Sequence, residues 1–301
     1  MTNSEICDKL EFMRDIQLIQ IYYTVCQHYN TTLAHEVQRL SNNFCPKFTD
    51  EECLATYIFG IANQKLNTRA CYDFIKDYYD DWFPNLPSYQ AYNARVCYLA
   101  QAFRALASIL LMQFGFDESH ADFVMDSLPI VVAGSARSGR AKVAPELCDK
   151  GYCAAKKMYY YGIKLHILAQ CNHKAMPTPV SMMTSRASTH DLDIGKEILS
   201  DARNIRVFCD MAFIDKEWQA RMLNERDVEI ITPVKRKTGQ KVLDSADKLF
   251  SRAVSSIKQA IESLNNWLIE KTNIQKASKV RSEAGLTAFI FARVACACLV
   301  F

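Results

Sequence analysis

Three acidic residues carry most of the chemistry available to this chain: Asp126 in FVMDSLPIVVA, Asp210 in RVFCDMAFID and Glu262 in SSIKQAIESLNNWL. The first two lie on or at the end of apolar runs of β type, where a carboxylate is costly to bury without a cation or another partner. The third lies on the face of a helix. Oxygen donors of this kind suit Mg²⁺ or Mn²⁺, whereas His and Cys ligands would point to other metals. Two such ions roughly 4 Å apart make a nucleophile at neutral pH and stabilise a leaving oxygen, which is what cutting and joining phosphodiesters requires. On spacing alone these acids are one triple among many, so the elements that position them have to decide.

At 301 residues, half of them hydrophobic, the chain is long enough for a substantial core and is expected to hold two domains, 1–118 and 119–301. The first reads as helical. KLEFMRDIQLIQIYYTVCQHY and TDEECLATYIFGIANQKL repeat apolar residues at helical intervals, and Thr49 before Asp50, Glu51 and Glu52 makes an N-cap with an acidic first turn. After the Pro-marked turn near Pro87, a helix is expected to open at Ser88 with Tyr89, Gln90, Tyr92, Asn93 and Arg95 in its first turns. That pattern fits the second helix of a helix-turn-helix reaching a DNA groove, or equally an ordinary bundle helix with a polar face.

Beyond residue 120 the period shifts towards strands. Strands are predicted near Phe123–Val132, Tyr159–Ala169, Pro179–Thr184, Val207–Asp210 and Val228–Pro233, with helices over Leu192–Arg203, Lys216–Arg226 and Phe250–Glu270 and a terminal apolar helix. The stretch MYYYGIKLHIL is expected to alternate between two faces. Asp126 thus falls on the first strand, Asp210 after the fourth, and Glu262 on a following helix.

The net charge of +3 is too small to imply a nucleic-acid partner; its distribution says more. Between Asp126 and Cys171, Arg137, Arg140, Lys142, Lys150, Lys156, Lys157 and Lys164 outnumber Asp126, Glu146 and Asp149, and Lys235, Arg236, Lys237 and Lys241 form a later run. Such clusters suit a phosphate backbone, although each alone also fits a solvated loop. Arg137 and Arg140 in the Gly-flanked GSARSGRAK loop have the fork geometry for backbone clamps. Lys156, Lys157 and Lys164 flank a strand beside the acids, where they would grip DNA or discourage edge pairing.

Twelve cysteines scattered without regular spacing, no CxxC pair and no apolar signal peptide after Met1 point to reduced thiols in a cytoplasmic compartment rather than to disulfides or zinc. The terminal LTAFIFARVACACLVF is short for a bilayer span and carries Arg293 near its middle, so a buried helix is expected.

Five blocks carry a family resemblance: DSLPI around Asp126, GYCAAKKMYYYGIKLHIL from Gly151, STHDLD from Ser188, FCDMAFID around Asp210, and IKQAIESLNNWLIEKTNIQKASKVRSEAGL around Glu262. In order and spacing they resemble insertion-sequence transposases with a DDE triad, specifically the nine-eighty-two family. The resemblance implies an α/β fold class, an RNase H-like mixed sheet flanked by helices, following an all-helical N-terminal DNA-binding domain. It implies that Asp126, Asp210 and Glu262 hold Mg²⁺, or Mn²⁺, and catalyse strand cleavage and transfer. Lys258 stands where relatives usually carry an arginine, one turn before Glu262, and would hold a phosphate; Ser255 replaces the commoner tyrosine. His190 and Asp191 match the family's His-Asp pair, expected to support the metal site without ligating it. The implied partners are double-stranded DNA, at the element's terminal inverted repeats and at the target, and a second copy of the chain on DNA, in the bacterial cytoplasm at the nucleoid. A decayed or domesticated transposase that only binds DNA is the alternative.

Overall fold

The computed structural model describes residues 3–37, 46–115, 121–154, 156–236, 239–240 and 242–301. They form two compact units, Met1–Leu110 with Glu270–Phe301 and Leu111–Ile269. The boundary expected at 118/119 therefore divides differently: the C-terminal segment joins the N-terminal helices instead of the sheet.

The first unit contains α1 (Asn3–Tyr29), α2 (Asp50–Ala62), α3 (Thr68–Tyr78), α4 (Tyr89–Tyr98) and α5 (Ala100–Gln113). Thr49 and Glu52 close a reciprocal capping box at the start of α2, as the sequence pattern demands. Asn67 and Ser88 cap α3 and α4 through their side chains. The terminal helix, Glu283–Val300, lies against α2 and α4. It is long and apolar enough to cross a membrane by composition, yet here most of its side chains, Arg293 included, are buried.

The second unit is a mixed sheet with helices on both faces. Its strands are β1 (Asp122–Ala133), β2 (Asp149–Cys153), β3 (Met158–Asn172), β4 (Ala175–Arg186), β5 (Ile205–Phe208) and β6 (Val228–Ile231); α6 (Asp191–Ile198), α7 (Lys216–Arg226) and α8 (Ser245–Thr272) follow the strands. The order is β2-β3-β1-β5-β6, with β4 also pairing β3. β1 is antiparallel to β3 and parallel to β5, and β5 is parallel to β6. β2 pairs the first residues of β3 and β4 the rest.

β3 departs from the expected alternation: nearly all of it between Tyr160 and Gln170 is buried. A central strand covered on both faces reads as a continuous apolar run. Gly162 is required there, because a Cβ would meet the Ile130 carbonyl oxygen of the neighbouring strand at 2.1 Å. One face of the sheet packs Phe123, Met125, Val207 and Cys209 with Leu199, Phe213, Trp218 and Met222. Gly195 lets α6 close on the Phe213 ring, which a Cβ would approach to 2.7 Å.

Candidate active site

The parallel ladder between β1 and β5 pairs Phe123 with Val207 and Val124 with Phe208. Continued two residues beyond the end of β5, the same register sets Asp126 beside Asp210. Side chains alternate along strands, so both aspartates project from the face opposite the Met125 and Cys209 core. Asp210 thus lies beyond the carboxyl end of β5, the side on which open α/β sheets characteristically hold their chemistry, while Asp126 is inside the longer β1.

Helix α8 covers these aspartates. Val254, Lys258, Ile261, Leu264, Asn265 and Leu268 form its buried stripe, spaced at the helical period. Asn265 Nδ2 donates to Asp126 Oδ2 at 3.1 Å, and Lys258 Nζ makes an ion pair with Asp210 Oδ1. Lys258 is 9% exposed and Asp210 55%, so the pair joins a buried ammonium to a solvent-facing carboxylate. Asp210 also precedes a single 3₁₀ turn, Met211–Phe213, without capping it through its side chain.

Asp126 is only half-buried by surface area, yet burial pushes its carboxyl up from 3.8 to about 6, against the lowering effects of the Lys258 ammonium and the Ser127 backbone N–H. The charges of Asp210 and Asp191 raise it further. Asn265 Oδ1 is buried without a hydrogen-bond partner among the described residues.

The expected triad is not gathered. Among the described residues, no three His, Cys, Asp or Glu side chains come together as a metal-holding group. Glu262 is exposed, at the rim of the α8 stripe, while the two positions aimed at the aspartates present a cation and a neutral amide. Two adjacent carboxylates, one of them under-solvated, are donors of the type a hard divalent cation takes, and Glu262 lies one turn from Lys258.

The other anticipated residues fall elsewhere. Lys164 on β3 donates to Asp191 Oδ1 and to the Thr189 carbonyl, both at 2.8 Å, and Ser127 Oγ donates to Asp191 Oδ2 at 3.2 Å. Lys164 is thus tied into the protein on the sheet face opposite Asp126, and it is not a free cation. Asp191 opens α6, and His190 before it is exposed and makes no capping bond. Arg137 and Arg140 are exposed in the turn after β1, and Lys156 and Lys157 are exposed between β2 and β3, with Lys157 at φ 48°. Lys237 and Lys241 of the later basic run lie outside the described residues.

Composition and spacing missed Asn265 and the Tyr152–Tyr159 pair, and placed His166 on the Lys164 face of its strand without foreseeing its burial. Asn265 reads as one more polar residue in a helix. His166, buried on β3 with Nε2 2.8 Å from Ser185 Oγ, is driven from 6.5 to about 4 by burial. Tyr152 and Tyr159 are facing partners of β2 and β3, exposed, with ring centroids 5.0 Å apart and Lys150 Nζ 4.6 Å from the Tyr159 ring. They flank a cleft of about 470 Å³ that extends to Lys164, His190 and Asp191.

Residues 118–281 match the family model described as a transposase DDE domain, more than half of the chain. No curated protein and no solved structure matches the chain.

Proposed function

The chain belongs to the transposase DDE-domain family, and on that premise we propose that it is an insertion-sequence transposase of the nine-eighty-two type, cutting the ends of its element and joining them to target DNA. The observation that carries this reading is the register that brings Asp126, inside β1, beside Asp210, just past the end of β5, under a helix bearing Lys258 and Glu262. The strand order β4-β3-β1-β5-β6, antiparallel then parallel, supports an RNase H-like catalytic domain.

Asp126, Asp210 and Glu262 would hold Mg²⁺ or Mn²⁺, which when bound activates water and stabilises the leaving oxygen. Asp126 enters this role in a setting where its charge is poorly solvated, so a divalent partner is strongly favoured. Lys258, released from Asp210, would neutralise a non-bridging phosphate oxygen as negative charge develops. The Asn265 side-chain N–H holds the Asp126 carboxylate by a hydrogen bond, and the Ser127–Asp191–Lys164 chain stiffens the strand behind it. The exposed Tyr152–Tyr159 pair offers a surface on which an unpaired base can stack. Arg137, Arg140, Lys156 and Lys157 would contact backbone phosphates, and two copies would bring the two element ends together.

Asp210→Asn is expected to abolish strand cleavage in Mg²⁺ while leaving binding to the element ends intact; retained cleavage would sink the assignment. The ion pair between Lys258 and Asp210, with Glu262 turned outwards, favours one second reading: a decayed transposase that binds DNA without cutting it. A Mn²⁺ titration of the purified protein separates the two, because a dead site binds the ion poorly.

A further inference from the structure

The helical unit holds a cleft of about 510 Å³ between α3, α4, the start of the terminal helix and the segment 276–282 that precedes it. Arg69, Lys276, Lys279 and Arg281 line it, and no carboxylate does. All four cations are exposed. Among the described residues Lys276 and Lys279 make no ion pair, and only Arg69 is partly neutralised, by Asp73 at 2.8 Å on its own helix.

The groups around these charges are ordered. The Arg69 guanidinium lies 4.9 Å from the centroid of the Tyr89 ring, and Arg281 Nη1 donates to the carbonyls of Ser278 and Val280 at 2.9 and 2.7 Å. Asn93, one turn beyond Tyr89 on the cleft wall, makes no side-chain hydrogen bond among the described residues, so its amide is open as donor and acceptor. The sequence pattern left open whether Tyr89, Gln90, Tyr92, Asn93 and Arg95 are presented together or belong to an ordinary bundle helix, and the helix divides them. Tyr92 is buried, and Arg95 is turned inwards to the Phe48 carbonyl and Asp50. Tyr89, Asn93 and the exposed Gln90 are left facing out.

We propose that this cleft is a binding site for the sugar-phosphate backbone of double-stranded DNA, with Lys276, Lys279, Arg69 and Arg281 as phosphate contacts and the start of α4 directed at the duplex. Several cations along an open groove, beside an aromatic ring and a free amide, match a polyanion with polar edges better than a small compact anion. The site is composite: α3 and α4 come from the N-terminal half and three of the four cations from the segment that follows α8. The DDE-domain region thereby supplies part of the surface that holds the element end, a task the sequence reading assigned to residues 1–118 alone. The identity of the polyanion rests on the transposase reading above.

The test uses the full chain, with exposed residues replaced so that folding is preserved and checked by circular dichroism. Binding of a fluorescein-labelled mixed-sequence duplex is followed by anisotropy at several NaCl concentrations for wild type, for Lys276→Ala/Lys279→Ala, and for Lys9→Ala/Lys76→Ala as a charge-matched control in the same unit. Loss of two phosphate contacts should weaken binding at least about tenfold at low salt and reduce the slope of log K against log salt by about 2. The control should stay within about twofold of wild type. Unchanged affinity and slope in Lys276→Ala/Lys279→Ala, or an equal loss in the control, overturns the proposal. Metal-dependent cleavage is assayed in parallel. If cleavage is absent from wild type but the lysine effect stands, the transposase reading fails and the cleft survives; intact cleavage with unchanged binding removes the cleft alone.

Discussion

Asn265 and Asp126 meet across the sheet–helix interface through a single 3.1 Å hydrogen bond, and the amide oxygen left over is buried with nothing to accept from among the described residues. The bond offsets only part of the cost of placing a carboxylate there, and burial still drives the Asp126 carboxyl up to about 6. Helix α8 thus meets the two aspartates with one neutral group and one cation. Each choice has a measurable consequence.

The first consequence is a stability that depends on pH with a definite sign. Between about pH 4 and 6 the folded chain keeps the Asp126 proton that the unfolded chain releases, so this group lowers stability as pH rises, by about 3 kcal/mol across the window. His166 acts oppositely. Its ring, driven from 6.5 to about 4 by burial, refuses a proton that the unfolded chain binds, so its contribution rises with pH between about 4 and 6.5 by a similar amount. Relative to wild type, Asp126→Asn should therefore gain stability in urea melts from pH 4 to 6, and His166→Gln should lose it. Curves parallel to wild type for both variants would remove this account.

Lys258 is the second case. If its ammonium serves phosphate during the reaction, Lys258→Met should lower strand cleavage about 10²-fold, the scale of losing one preorganised charge, with end binding nearly unchanged and partial rescue by Lys258→Arg. If instead the ion pair with Asp210 blocks the site, the same Met variant should bind Mn²⁺ more tightly and cleave no less than wild type. Electron paramagnetic resonance of Mn²⁺ and a cleavage assay together decide.

The exposed tyrosine pair gives a third. Replacing Tyr152 or Tyr159 by Ala should weaken binding of DNA with an unpaired extension by about 1–3 kcal/mol per stacked base while leaving blunt duplex affinity unchanged. A purely structural cross-strand pair on β2 and β3 would instead change only the melting temperature, since such pairs contribute about 0.2–1 kcal/mol to the sheet.

Residue periodicity located much of the sheet because long apolar runs leave few options. α7 falls on the predicted residues, β1 and β3 extend the predicted strands by a few residues, and Asp126 lies on the first strand as expected, whereas the strand predicted to reach Asp210 ends at Phe208. β2 escaped notice because DKGYC is short, half-polar and exists through its pairing with β3. α6 ends five residues early, at Ile198, before the DARN turn. The outward turn of Glu262, the burial of Tyr92, the ion pair that absorbs Lys164 and the docking of the terminal helix on α2 all depend on which side of an element meets which neighbour. A helix face about 100° wide can rotate by one residue without any change in its local pattern, so tertiary packing chose what periodicity left open.

Arg293 shows that choice most sharply. A charge near the middle of the terminal helix disfavours a membrane span, and in the structure Arg293 is fully buried, donating to the Phe289 and Leu66 carbonyls at 3.1 and 3.0 Å and to the Tyr57 hydroxyl at 3.5 Å. No carboxylate pairs with it among the described residues, and Nε has no partner. Its guanidinium lies 3.5 Å from the Phe289 ring centroid, so acceptor dipoles and a π face carry the whole charge. Arg293→Ala should destabilise the helical unit by about 3 kcal/mol, because it opens a cavity and strands the Leu66 carbonyl. Arg293→Met, which refills the volume and removes the buried charge, should cost under about 1 kcal/mol or stabilise, as replacements of buried ionic groups by apolar ones often do. Urea unfolding followed by circular dichroism measures both; a Met variant as damaged as the Ala variant would show that the guanidinium's hydrogen bonds, rather than its bulk, hold the terminal helix to α2.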